Sequence, residues 1–288
     1  PVASAAMTTP ANSSGPLDLT GRRALVTGGT KGLGRAIAET FLAHGATVTV
    51  AARNEPEALP AAGDNTARFV AADVRDVESV AAMTAAAAEP DGRLDILVNN
   101  AGGGPPADSA TVSHRFTDKI LGLNLHGPIL CAQAAYPYLT TAAAGATTAP
   151  VIVNISSVSG VRANPQGVAY GAAKAGLDNV TKTLAFDWGP AIRVVGLTVG
   201  MVLTDEGRAF YESLAADGET GDEAIDRISQ IFALRRFATP ADVADVALFA
   251  VSDLARYVSG TNIEVHGGGE GPSYLLASTG DVGGGPLT

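Results

Sequence analysis

A chain of 288 residues with a formal charge of −10 and a sequence pI near 4.8 lacks the cationic footprint of a nucleic-acid binder, and an anionic membrane surface would repel it. Its hydrophobic fraction of 46% supplies a sizeable core and excludes a disordered chain. The single cysteine, Cys131, excludes an intramolecular disulfide and a thiolate metal cluster and fits a reducing cytoplasm, and it also reads as a small buried hydrophobe.

Residues 1–16, "PVASAAMTTPANSSGP", have neither a basic n-region nor an apolar h-region and read as a flexible leader outside the fold. From Arg23 onward, short β-rich apolar runs alternate with helical patterns. The first run, "ALVTG", leads into "TGGTKGLG", which places Gly28, Gly32 and Gly34 at a turn. A helix is predicted from Leu33 to His44, with Leu33, Ile37, Ala38, Phe41 and Leu42 as its apolar stripe and Gly45 as its stop. Glycine there lets the backbone approach a pyrophosphate at the positive end of the helix, although tight turns also use glycine for geometry alone. The second run, "TVTVAA", ends in "VAARN". A fold that prefers NAD puts a carboxylate at this point for the ribose 2′-hydroxyl. Ala52 offers none, whereas Arg53 and Lys31 could meet a 2′-phosphate, so the composition points to NADP(H).

"ARFVAAD" ends at Asp73, and "DILVNN" at Asn99 and Asn100. In "LNLHGPIL" the helix predicted around Asn124 meets Pro128, which has no N–H for the Asn124 carbonyl. That carbonyl needs another donor, unless the kink serves packing only. The uncharged run from Gly127 to Val161 is interrupted by Pro128, Pro137, Pro150 and "TTAAAGATTAP", so it reads as helix end, loop and buried strand rather than a membrane span. "PVIVNISS" follows, reaching Ser157. In "VAYGAAKAG", Tyr170 and Lys174 share a helical face at i and i+4, where the ammonium is expected to lower a phenol pKa that is otherwise about 10. Taken alone, the pair also describes an ordinary amphipathic helix.

"IRVVGLTV" precedes a long acidic insertion, Asp205 to Arg235, read as a lid over about residues 205–235. A helix is predicted in "TPADVADVALFAVSD", a last strand in "NIEVHG", and a loosely held Gly-rich tail over residues 271–288. The alternation argues for a single α/β domain with a parallel sheet and helices on both faces. His44, His114, His126 and His266 fall on different elements without a ligand spacing, so no metal is expected.

Together, "TGGTKGLG", "NNAG" at Asn99 to Gly102, "NISSVSG" at Asn154 to Gly160, and Tyr170 with Lys174 resemble the short-chain dehydrogenase/reductase family over roughly Leu17 to Gly269. The resemblance implies a Rossmann-like, doubly wound seven-stranded parallel sheet over residues 17–270 and a nicotinamide cofactor. It implies that Ser157 hydrogen-bonds the substrate oxygen, that Tyr170 is the general acid or base, and that Lys174 lowers its pKa and holds the nicotinamide ribose. Asn124 is the fourth member, through a water that passes protons to Lys174. Cofactor contacts are implied for Gly28, Thr30, Lys31, Gly32, Leu33, Gly34, Arg53, Asp73, Val74, Asn100, Ala101, Gly102, Tyr170, Lys174, Gly200, Val202 and Thr204. Asp73 would touch adenine, or else cap a helix. Ser157 without its context is an ordinary strand-end serine. One departure is that the family's Asn-Ala and Pro-Gly pairs are here Val195-Gly196 and Val199-Gly200, which removes a fixed φ beside the carboxamide while Gly200, Val202 and Thr204 keep the pattern.

The expected activity is NADP(H)-dependent hydride transfer to or from a ketone or secondary alcohol, with a small-molecule substrate. A 3-oxoacyl-carrier-protein reductase is the alternative. Its acidic carrier would meet Asp205, Glu206, Glu212, Asp217, Glu219, Asp222, Glu223 and Asp226 against only Arg208 and Arg227. From another class, a catalytically silent NADP(H)-sensing interaction protein would keep the fold without the chemistry. A homotetramer is expected through Asn124–Leu139 and Tyr170–Leu184, with Ala132, Ala135, Ala172 and Gly176 permitting close contact.

Overall fold

The seven apolar runs become seven parallel strands of one sheet: β1 (Arg23–Thr27), β2 (Thr47–Ala52), β3 (Arg68–Ala71), β4 (Ile96–Asn99), β5 (Val151–Ser157), β6 (Arg193–Val199) and β7 (Thr261–Val265). The computed structural model describes residues 15–144, 146 and 148–271, so all but two residues of the expected leader and all but Gly271 of the expected tail lie outside the described residues. Strand order is β3-β2-β1-β4-β5-β6-β7. Chain direction across the sheet reverses between β1 and β4, and an open parallel sheet forms its ligand crevice at such a switch point.

The strands are apolar on both sides because helices cover both sides. Val26, Val48, Val50, Ile96, Val98, Val153 and Val195 point into one cluster with Ile37 and Phe41 of α1 (Gly32–Ala43) and Val243, Ala247 and Val251 of a helix over Pro240–Val251. Their strand neighbours Leu25, Leu97, Ile152 and Val194 point the other way. There they meet Val80 and Met83 of α2 (Val77–Ala87) and Cys131, Ala135 and Leu139 of a helix over Gly127–Ala143. Burial pushes the Cys131 thiol up to about 12, as suits a packed, unreactive side chain.

After β4 the chain forms α3 (His114–Leu121) and then, without a break, one wide π-helical turn over Gly122–His126 before α4 (Gly127–Ala143). The sequence predicts one ordinary helix through Asn124. The missing N–H of Pro128 removes the i→i−4 bond there, and Gly127 N–H instead reaches back five residues to the Gly122 carbonyl. The uncharged run forms the expected sequence of helix, loop and buried strand, but Pro128 and Pro137 do not interrupt the helix. Pro128 occupies the first turn of α4, where its lost donor costs little, and Pro137 lies within a helix of 17 residues. No helix among the described residues is long and apolar enough to cross a membrane.

The helix carrying Tyr170 and Lys174 is α5 (Val168–Trp188). The acidic insertion between β6 and α8 (Pro240–Val251) folds as two helices, α6 (Asp205–Glu212) and α7 (Gly221–Ser229). Ile225, Phe232 and Phe237 form a small separate core beneath them with Met201, Leu203 and Tyr211. Past β7 the chain turns back, so that Ala233 and Leu234 donate to the carbonyls of Gly269 and Gly267, Gly271 donates to that of Ile231, and Glu270 pairs with Arg162. At the opposite end of the sheet, Arg193 donates to the carbonyls of Val258 and Ala250, and Arg22 to that of Val251. These two guanidinium groups satisfy the last carbonyls of α8.

Candidate active site

Two loops meet at the crevice where chain direction reverses. Gly28 adopts a left-handed φ of 62°, and a Cβ on it would lie 3.0 Å from Ala101 Cα; a Cβ on Gly34 would run into the Gly28 carbonyl oxygen and Asn100 Nδ2. Thr27 joins the loops. Its hydroxyl donates to the Val98 carbonyl and accepts from the N–H groups of Asn100 (3.0 Å) and Ala101 (3.1 Å), while Asn100 Nδ2 donates to the carbonyls of Thr27 and Gly28. No side chain caps α1, whose N-cap position is Lys31. Gly32 and Leu33, with Thr30 before them, form its open first turn. An uncapped helix start against a backbone cradle fits a phosphate group.

Further around the crevice, Arg53 is exposed just past β2 and acts electrostatically on Asp73. The Arg75 guanidinium grips Asp73 through Nε at 2.9 Å and a terminal nitrogen at 2.5 Å, holding its carboxyl down at about 2. Asp73 caps no helix; Asp76 does that for α2, accepting from Ser79 N–H. Val74 is buried against Gly127 in the core. On the far wall, Gly200 N–H donates to the Val265 carbonyl, and a Cβ on Gly200 would meet His266 Cβ at 2.7 Å. Val202 bridges to Ala238, and Thr204 spends its hydroxyl as the N-cap of α6, accepting from Gly207 N–H.

Ser157, Tyr170, Lys174 and Asn124 converge beneath this crevice. Ser157 ends β5 and hydrogen-bonds the Tyr170 phenol, and the Lys174 ammonium lies 5.6 Å from the Tyr170 ring centroid. A Cβ on Gly102 would sit 2.8 Å from Asn124 Oδ1 and 3.5 Å from Lys174 Nζ, which marks how tightly the three residues cluster. The side chain of Asn124 is fully occupied, accepting from Gly103 N–H at 2.7 Å and donating to the carbonyls of Gly103 and Ile120. It therefore fastens the π-turn to the loop after β4.

The electrostatics differ from expectation. Burial raises the Tyr170 phenol above its ordinary value, and the Ser157 hydrogen bond opposes this only in part. The Lys174 ammonium lies over the ring and donates to the Ile155 carbonyl at 2.7 Å. Burial pulls Lys174 itself down to about 8, against an upward pull from Asp178.

Several participants are absent from the sequence-based set. Thr27 is the hub of the two loops, Arg75 neutralises Asp73, and below Lys174 the inner face of α5 continues through Asp178 and Thr181. Ser156 donates to Asp178; Asn154 Nδ2 donates to Thr181 at 3.0 Å, and Asn99 Nδ2 to Asn154 Oδ1 at 2.9 Å. The i+4 spacing that singles out Lys174 from Tyr170 reaches Asp178 when applied once more.

The family model described as enoyl-(acyl carrier protein) reductase matches residues 28–270. D-threitol dehydrogenase of Mycolicibacterium smegmatis is 38% identical over 256 residues, covering 87% of this chain and 93% of that protein. The ligand-free structure of Thermoplasma acidophilum aldohexose dehydrogenase superposes with a TM-score of 0.78 at 28% identity, covering 88% of this chain and 96% of that one. A candidate NAD(P)-dependent gluconate 5-dehydrogenase from Beutenbergia cavernae, with NADP bound at low occupancy, superposes with a TM-score of 0.76 at 30% identity, covering 88% and 98%.

Proposed function

The chain belongs to the short-chain dehydrogenase/reductase family of oxidoreductases, and from that premise we propose that it transfers hydride between NADP(H) and a ketone or secondary alcohol, with Tyr170 as the proton donor and acceptor. The observation that carries the reading is the hydrogen-bonded Ser157–Tyr170 pair with Lys174 against the same ring. The cofactor supplies the hydride. The uncapped start of α1 would hold its pyrophosphate, and Gly200, Val202 and Thr204 would line its nicotinamide end. In reduction, negative charge would gather on the substrate oxygen, and Ser157 and Tyr170 would donate to it. The raised Tyr170 pKa keeps the phenol protonated at neutral pH, ready to act as the acid. Lys174 holds positive charge beside the ring, and Asn124 keeps the Gly103 backbone in place at the floor.

A panel of ketones and secondary alcohols, followed by NADPH absorbance, tests this reading. Turnover of at least one small carbonyl compound is expected. Tight NADPH binding with no turnover across the panel would favour the silent cofactor sensor instead. An acyl-carrier-protein substrate is disfavoured because Arg208 pairs with Glu212 and Asp222, and Arg227 with Glu219, leaving Asp205, Asp217 and Asp226 exposed toward an acidic carrier. A cytoplasmic setting suits the buried, unreactive Cys131.

The proposed assembly is a homotetramer, on a surface that differs from the expected one. Ala132 and Ala135 face the core of their own subunit. Outward on α4 and α5 stand Tyr136, in ring contact with Trp188 at 4.8 Å, the small residues Ala172 and Ala175, and Phe186 at 89% exposure. An exposed phenylalanine beside small residues suits isologous helix pairing. Light scattering at micromolar protein is expected to give a mass near four times 28.9 kDa, and a mass near one such unit would defeat the assembly.

A further inference from the structure

Four consecutive positions of β5 each present one polar group to successive turns of α5: Ser157 to Tyr170, the Ile155 carbonyl to Lys174, Ser156 to Asp178, and Asn154 to Thr181. This polar seam lies between apolar layers, and Lys174 and Asp178 within it are only 4% and 8% exposed. An ammonium so buried is costly unless an opposite charge stands near it. One turn along the same face stands a carboxylate, held by the Ser156 hydroxyl.

We propose that Asp178, fixed by Ser156, is a positioning residue that keeps Lys174 in its charged form and so sets the upper pH limit of the reaction. The inference rests on the proposed role of Lys174 beside Tyr170. The surroundings leave Asp178 as the charge available for this. β5 and the short turn after it, residues 158–160, carry no ionisable group besides serine hydroxyls. On α3, His114, Arg115, Asp118 and Lys119 are exposed, as is His126 of the π-turn. Arg193 of β6 is committed to the carbonyls of Val258 and Ala250, and Glu264 of β7 pairs with His266. On α5 itself Lys182 and Asp187 are exposed, and the remaining neighbour is the Tyr170 phenol. Asp178 is also the charge that opposes the downward pull of burial on Lys174.

The sign follows directly. A neutral residue at 178 removes the support for the ammonium, so Lys174 loses its proton at lower pH. The alkaline limb of kcat/KM then moves toward acid. The chain has four lysines, which makes a direct titration of Lys174 by NMR of isotope-labelled side chains practical on the intact protein, without turnover. Asp178→Asn is expected to lower the Lys174 pKa by roughly one unit or more and to carry the alkaline limb with it. Ser156→Ala should move both in the same direction by less, and Asp178→Glu should restore them. An unmoved Lys174 titration in folded Asp178→Asn, or in Ser156→Ala should the first variant fail to fold, overturns the inference. A Lys174 titration that shifts in a protein inactive toward every carbonyl tested would instead sink the proposed activity and leave the charge pairing standing.

Discussion

Replacing Tyr170 by phenylalanine is expected to lower turnover at least hundredfold while leaving NADPH affinity nearly unchanged. The substitution removes one oxygen from a ring that is otherwise held in place. The phenol lies within hydrogen-bonding reach of Ser157. Loss of a positioned general acid costs roughly a hundredfold to ten-thousandfold. Binding is spared because the proposed cofactor contacts are dominated by the glycine turn, Arg53 and Lys174, none of which the substitution touches. Stopped-flow turnover and fluorescence titration with NADPH separate the two quantities. A Phe variant that keeps a tenth or more of wild-type turnover would remove Tyr170 from the mechanism. Lys174→Ala should damage both quantities, since burial places its ammonium between the ring and the Ile155 carbonyl.

Arg53→Ala is expected to erase most of a preference for NADP(H) over NAD(H) and to leave kinetics with NADH nearly as they were. A charge-assisted hydrogen bond contributes roughly 1.5–3 kcal/mol, about ten- to a hundredfold in affinity. The electrostatic setting supports the lower end for an exposed group, because solvent and salt screen it. Asp73, the carboxylate on which Arg53 acts, is paired with Arg75 at 2.5 Å. With that carboxylate offset, Arg53 sets the local sign. Equal kcat/KM for NADPH and NADH in the wild type would refute the preference outright. Raising ionic strength should narrow it if the contact is as exposed as Arg53 is.

The strands and the Tyr170–Lys174 face were legible because their signals are local. A run such as "DILVNN" is apolar whichever neighbours it acquires, and i,i+4 residues meet on any helix. What escaped depends on partners far along the chain. That Lys174 would donate to Ile155 requires knowing where β5 lies against α5, 19 residues earlier in the sequence. The raised Tyr170 pKa follows from the same placement, since burial of the phenol is its largest cause. Ala132 and Ala135 look suited to a subunit contact by size alone, yet the phase of α4 turns them inward. Pro128 signalled a disturbance at Asn124 correctly. The form it takes, a wide turn clamped by an amide on Gly103, depends on the loop that folds over it. Asp73 was placed at the crevice, but its pairing with Arg75 two residues on was in plain view and unread.

The return of the chain past β7 bears on how the protein comes into being during translation. Ile231, Ala233 and Leu234, at the base of the acidic helices, hydrogen-bond to residues 267–271. Glu270 is likewise the mate of Arg162, eight residues before Tyr170. A nascent chain that has emerged only through α8 already contains the strands that border the crevice between β1 and β4 but lacks the edge strand β7 and residues 267–271. Ribosomes add about 5–20 residues per second, so the strands bordering the crevice are made about a second or more before the residues that fasten the base of the acidic helices.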